Sequence, residues 1–189
     1  MPEVSVLINQ KYKIIRQIGQ GGFGKTYLSE NIIEPNSPRC FVKEFTHQGK
    51  NNSEEVLKLS LLESDRLKEV IEHPKIPSFL DFFEHNGKFF LVQEYIEGQN
   101  LEEELRQEGA FSPEAIQQLL SELLPILTYI HKRQLIHRDI KPENIVRRRV
   151  DGQLFLVDFG AAKAVSETIL AKTGTMIGSA GYVSPEQAY

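Results

Sequence analysis

The 189-residue chain is 40% hydrophobic and 25% charged, with 22 basic and 26 acidic residues for a net charge of −4. Those values suit one soluble globular domain or two small lobes, and the acidic balance argues against nucleic acid as the main partner. Its one cysteine, Cys40, excludes an internal disulfide and a cysteine zinc cluster. No apolar run approaches the roughly 18 residues of a membrane span, and the N-terminus lacks the basic-then-apolar pattern of a secretory signal. The expectation is a protein of the reducing cytoplasm.

Residues 11–18, KYKIIRQI, are rich in β-formers and predict a strand. IGQGGFGKTY, residues 18–27, then fits two phosphate-binding patterns. Gly19, Gly21 and Gly24 make G-x-G-x-x-G; Gly19, Gly24, Lys25 and Thr26 make the G-x-x-x-x-G-K-T of nucleotide triphosphatases. Both use glycine because a backbone without Cβ can approach phosphate oxygens closely. TYLSENII follows, then the turn cluster EPNSPR, then CFVKEF, which predicts strand, turn, strand. A P-loop or a Rossmann loop runs instead into a helix N-terminus.

Residues 53–72 place Val56, Leu59, Leu62, Leu67, Val70 and Ile71 at roughly helical spacing, with Ser53 as N-cap and Pro74 beyond the end. FLDFFEHNGKFFLVQEY predicts a hairpin turning at Asn86-Gly87. The first half therefore reads as a small antiparallel sheet with one helix. Leu101–Glu108 predicts a short helix, and Ser112-Pro113-Glu114 opens a long one. Its apolar face is expected at Ile116, Leu119, Leu120, Leu123, Leu127 and Ile130, with Pro125 kinking it or marking a local defect. A lobe boundary falls near residues 95–100.

HRDIKPEN, residues 137–144, is a charge-dense loop that offers an acid (Asp139), a lysine two residues on, and Asn144, an amide suited to a metal ion or a carboxylate. LFLVDFG, residues 154–160, is an apolar strand ending in an acid, an aromatic and a glycine. Four apolar residues before an aspartate also mimic the magnesium-binding strand of a P-loop enzyme. The P-loop pattern, however, leaves HRDIKPEN, Lys43 and the strand after the glycine loop without a role.

Taken in order, these motifs resemble the catalytic domain of eukaryotic-type serine/threonine protein kinases, in their bacterial form, over nearly the whole chain. The resemblance implies an α+β two-lobe fold: an N-lobe of antiparallel sheet plus one helix, then a partial, mainly helical C-lobe. It implies that Gly19, Gly21 and Gly24 cover the ATP phosphates, with Ile18 and Thr26 also among the ATP-binding residues. CFVK supplies Lys43 for the α- and β-phosphates, paired with Glu63 in preference to Glu69. Backbone groups of Glu94 and Ile96 meet the adenine edge, with Gln93 at the back wall. Asp139 receives the incoming hydroxyl's proton, Lys141 balances charge on the γ-phosphoryl group, and Asn144 with Asp158 holds Mg2+. His137 has a structural role. Arg138 suggests a phosphorylated activation segment, with Thr173 and Thr175 as candidates ahead of Thr168, and residues 184–186, SPE, resemble the motif that closes it.

The chain departs from the family at Phe41, where a small residue is usual and a ring could crowd the adenine pocket, at Thr26 in place of valine, and at Ser179 in place of threonine. The family's domain continues with further helices, whereas this chain stops at Tyr189. It is expected to be an incomplete domain, with N-lobe and hinge over 1–96 and partial C-lobe over 97–189. The implied function is transfer of the γ-phosphate of ATP to serine and threonine hydroxyls of protein substrates. The alternatives are an ATP-binding or interaction fragment without useful turnover and, least well matched, a P-loop nucleotidase.

Overall fold

The computed structural model describes residues 6–21, 24–45, 72–133, 135–137, 139–158 and 181–182. Outside them lie nearly all of the helix expected over 53–72, with Glu63 and Glu69, as well as Arg138, the candidate threonines, Ser179 and residues 184–186. The chain groups into two compact units that part between Tyr95 and Ile96, with residues 72–77 belonging to the second.

Alternation of side chains builds the first unit. In β4 (Arg39–Phe45) Cys40, Val42 and Glu44 are buried, while Phe41, Lys43 and Phe45 take the other face at intermediate exposure. With β1 (Leu7–Ile8), β2 (Tyr12–Gly21), β3 (Gly24–Asn31), β5 (Phe79–His85) and β6 (Lys88–Glu94) it forms an antiparallel sheet ordered β1-β2-β3-β4-β6-β5. Positive φ at Asn86 (52°) and Gly87 (71°) gives the β5–β6 hairpin the tight turn its sequence predicts. The core gathers Ile8, Tyr12, Cys40, Val42, Phe90 and Val92, with Ile14, Tyr27 and Phe83 packed against them.

Tyr12 shows that this sheet curls. Strands β2 and β5 are separated by three others, yet the fully buried Tyr12 ring stacks on Phe83 at 5.6 Å. Its hydroxyl donates to Asp81 Oδ2 at 2.8 Å, and Lys11 Nζ reaches the same oxygen at 3.2 Å.

In the second unit, residues 98–100 form β7 (Gly98–Asn100), a strand absent from the expectations, which pairs with β8 (Ile145–Arg148); β8 in turn pairs with β9 (Leu154–Leu156). Helix α1 (Leu101–Glu108) opens on a capping box. Asn100 Oδ1 accepts from Glu103 N–H at 2.8 Å, and Glu103 Oε2 accepts from Asn100 N–H at 3.2 Å. Helix α2 (Pro113–Lys132) is capped by Ser112 and runs through Pro125 without ending there. Its buried seam is Leu123, Ile126 and Ile130, flanked by Leu119 and Leu127. The expected apolar face is thus rotated: Ile126 belongs to it, whereas Ile116 and Leu120 are 41% and 44% exposed. The seam packs on Ile76, Leu101, Ile145, Leu154 and Leu156.

A Cβ on Gly98 would stand 2.1 Å from Arg147 O, so only glycine lets β7 approach β8. Gly98→Ala should therefore cost about 1–3 kcal/mol of stability as the backbone shifts, read as a lower thermal midpoint. An unchanged midpoint would contradict this contact.

Burial first, and then Asp81, pushes the Tyr12 phenol far above its usual range; burial and then Glu44 push Tyr27 up to about 12. For both, the folded chain holds a proton that the unfolded chain releases above about pH 10, so their contribution is complete below that pH and fades as pH rises through the folded values. Denaturant midpoints should fall above pH 10, and less steeply in Tyr12→Phe, which should also lose about 1 kcal/mol at neutral pH with its Asp81 bond.

Candidate active site

Within the first unit, the strand register collects the glycine-loop residues on the Lys43 face. Gly19 lies opposite Thr26, Thr26 opposite Lys43, and Lys43 opposite Leu91, one row across four strands. The next row joins Gly21, Gly24, Phe45 and Phe89. Gly24, at φ 148°, must be glycine, since a Cβ would meet Glu44 O at 1.8 Å. Ile18 falls at a register shift in β2 and is 38% exposed. Phe41 shares the Lys43 face and packs edge-on against Tyr95, centroids 5.0 Å apart at 85°. Glu94 accepts from Ser78 N–H through Oε2 at 3.1 Å, and its own N–H donates to Ser78 O at 2.9 Å.

Behind Lys43, the neighbouring Glu44 turns to the opposite face. Lys88 Nζ meets its Oε1 at 2.7 Å and the Tyr27 hydroxyl donates to its Oε2 at 3.1 Å. Two adjacent, oppositely charged residues are thus directed to opposite sides of one strand.

Lys25 and Thr26 lie inside β3, which continues as strand to Asn31. No helix N-terminus follows the glycines, and the P-loop alternative is excluded by that geometry.

In the second unit the loop from His137 folds around one carboxylate. Asp139 is 7% exposed and Asn144 6%. Asn144 Nδ2 donates to Asp139 O at 2.8 Å and to Asp139 Oδ2 at 3.0 Å; Lys141 Nζ lies 3.5 Å from that carboxylate oxygen. A 3-10 turn, Pro142–Asn144, lets the chain double back over so few residues, and Asn144 N–H closes it on Lys141 O at 3.0 Å.

His137 locks this loop to the end of β9. Its Nδ1 accepts from Asp139 N–H at 3.3 Å, so the neutral ring carries its proton on Nε2, which donates to Val157 O at 3.0 Å. Val157 N–H donates to Asn144 O at 2.9 Å. Asp158 comes next, at φ 56°, a left-handed conformation that aspartate tolerates and that turns the chain sharply after β9. Ile96 is buried against Phe155 and Val157.

With both Asn144 Nδ2 bonds committed to Asp139, the amide oxygen is the donor atom left for a cation. Asn144 and Asp158 each offer a hard oxygen of the kind Mg2+ takes. The catalytic-loop residues foreseen from sequence, Asp139, Lys141 and Asn144, are therefore brought together. The role of Val157 was missed, because a backbone group used by two partners leaves no mark on residue type.

Comparisons with known proteins agree with this geometry. The family described as protein kinase domain matches residues 12–188, and the chain belongs to that family. It is 39% identical over 193 residues to serine/threonine-protein kinase B of Synechocystis sp., covering 97% of this chain and 34% of that protein. It is 36% identical over 192 residues to serine/threonine-protein kinase PknA of Nostoc sp., with 96% and 34% coverage. Against serine/threonine-protein kinase PrkC of Bacillus subtilis the identity is 33% over 181 residues, with 96% and 27% coverage. The chain thus spans about a third of these relatives' length. Among solved structures, PpkA-294 in its apo form superposes with TM-score 0.73 at 23% identity over 97% of this chain and 69% of that one. The PknI kinase domain of Mycobacterium tuberculosis follows at TM-score 0.63 and 22% identity, over 83% and 62%. These likenesses establish the two-lobe protein-kinase fold.

Removing the His137 ring leaves a cavity and frees the Val157 carbonyl. His137→Ala should destabilise the chain by about 2–4 kcal/mol, measured as a shifted denaturant midpoint. A change below about 0.5 kcal/mol, the scale of a neutral surface substitution, would show that the lock carries no energy.

Proposed function

We propose that this chain transfers the γ-phosphate of ATP to serine and threonine hydroxyls of protein substrates, in a cytoplasmic setting. The observation that supports this most is the buried Asp139 carboxylate, which Asn144 and Lys141 hold in place. Phosphoryl transfer has a loose transition state in which little covalent work falls to the protein, so positioning and charge neutralisation dominate.

In this role Asp139 accepts the hydrogen bond of the incoming hydroxyl and then its proton. Lys141, already beside that carboxylate, faces the developing charge on the transferred group. Lys43 steers the α- and β-phosphate oxygens, with Glu63 as its expected acidic partner. Gly19, Gly21 and Gly24 cover the phosphates, Ile18 and Thr26 also contact the nucleotide, and backbone groups of Glu94 and Ile96 take the adenine edge. Asn144 and Asp158 hold Mg2+, which supplies charge neutralisation on the phosphates. Residues 1–96 then serve as N-lobe and hinge, and 97–189 as the part of the C-lobe carrying the catalytic loop and activation segment.

Labelled γ-phosphate should pass from Mg-ATP to a generic serine/threonine protein and appear on phosphoserine and phosphothreonine after hydrolysis. Lys43→Ala should lower the rate by about 10²–10³-fold, the usual loss of one transition-state donor. No transfer by the folded wild-type chain would instead favour a nucleotide-binding or interaction role.

A further inference from the structure

Lys43 shares its face of the sheet with an aromatic residue that has no part in the reaction proposed above. Phe41 precedes it by two positions, roughly 6.6 Å along β4 at 3.3 Å per residue, and is likewise at intermediate exposure. Its strand partners are Leu28 on β3, which is 6% exposed, and Gln93 on β6. Tyr95, two residues past Gln93, sets its ring at 85° to that of Phe41 with centroids 5.0 Å apart. An edge-to-face pair of this kind holds both rings more firmly than burial alone. An aromatic surface still partly open to solvent is thus pinned beside Lys43.

The position of the glycines decides what that surface meets. The turn between β2 and β3 occupies the row on the far side of Lys43, with Gly21, Gly24, Phe45 and Phe89. Phosphates lying under those glycines and against Lys43 leave one direction for the base along this face, towards Leu28, Phe41 and Gln93. Glu94, whose backbone takes the adenine edge, lies at the same end, opposite Cys40. A ring anchored by Tyr95 does not fold away from a base placed there.

On the reading of Lys43 as the phosphate contact, we propose that Phe41 is a base-binding residue, its pinned ring stacking on the planar base and favouring nucleotides over bare polyphosphates. Stacking needs a π-face and no particular hydrogen-bond pattern. Phe41 therefore contributes affinity for an aromatic base, and the choice among bases stays with backbone groups such as those of Glu94. The ring that looks like an obstruction in the sequence becomes a contact.

The test is calorimetric binding of Mg-ADP and of Mg-pyrophosphate to the full chain and to three variants. The unaltered chain should bind Mg-ADP the more tightly of the two. Phe41→Leu keeps apolar bulk without a ring, and should weaken Mg-ADP binding about tenfold, the scale of one base–aromatic contact. Its affinity for Mg-pyrophosphate should be unchanged. Phe41→Tyr keeps the ring and should stay within about twofold of the unaltered chain for Mg-ADP, whereas Tyr95→Leu, which unpins the ring, should cost about threefold. Mg-ADP affinity unchanged or raised in Phe41→Leu would overturn the proposal and show a ring that crowds the base. An equal loss of Mg-pyrophosphate affinity would also overturn it, as the mark of a general structural role. The expected binding pattern in a chain that transfers no phosphate would refute the proposed activity and still support the base contact. An unaltered chain that binds neither ligand would overturn both.

Discussion

A carboxylate kept almost out of water must be surrounded by donors, and that requirement shapes the loop around Asp139. A buried unpaired charge costs several kcal/mol. Here Asn144 comes from five residues downstream and Lys141 from two, and the 3-10 turn brings them back to Asp139. The loop is then fastened outward at two points, both on Val157: His137 to its carbonyl and Asn144 O from its N–H. Asp158 follows directly, so its position is inherited from the same fastening. Acid, amide and second carboxylate are consequences of one small hydrogen-bond circuit.

The first unit solves a different problem, that of presenting a lysine from a sheet whose other side is a core. Alternation along β4 sends Lys43 one way and Cys40, Val42 and Glu44 the other. Glu44 would be costly among apolar neighbours, and Lys88 and Tyr27 remove that cost. Gly24 is required where β3 approaches β4, since a Cβ there would meet Glu44 O at 1.8 Å.

Much of this was legible in the residues because the signals are local. The Asn86-Gly87 turn, the Asn100 and Ser112 starts of the two helices and the charge-dense loop at 137–144 each declare themselves within a few positions. The curl of the sheet does not, because Tyr12 and Asp81 meet across 69 residues. Strand β7 was hidden because Gly98 is a weak strand former whose value lies in its clearance from Arg147. The rotated face of α2 follows from packing: Ile126 stood outside the expected apolar face, yet Ile76, Ile145 and the β9 leucines draw it into the core. Of the site residues, Asp139, Lys141 and Asn144 could be named by motif, while the tautomer of His137 and the double use of Val157 required coordinates.

The central claim is that Asp139 serves the chemical step and leaves nucleotide binding to other residues. The most direct test measures both quantities on one protein, Asp139→Asn, which keeps the shape and can still bond with its neighbours: Mg-ATP affinity by calorimetry, and single-turnover transfer of γ-phosphate. Affinity should stay within about twofold while transfer falls by about 10² or more, the contribution of a positioned general base. Transfer at the wild-type rate, or affinity lost in step with it, would contradict that assignment.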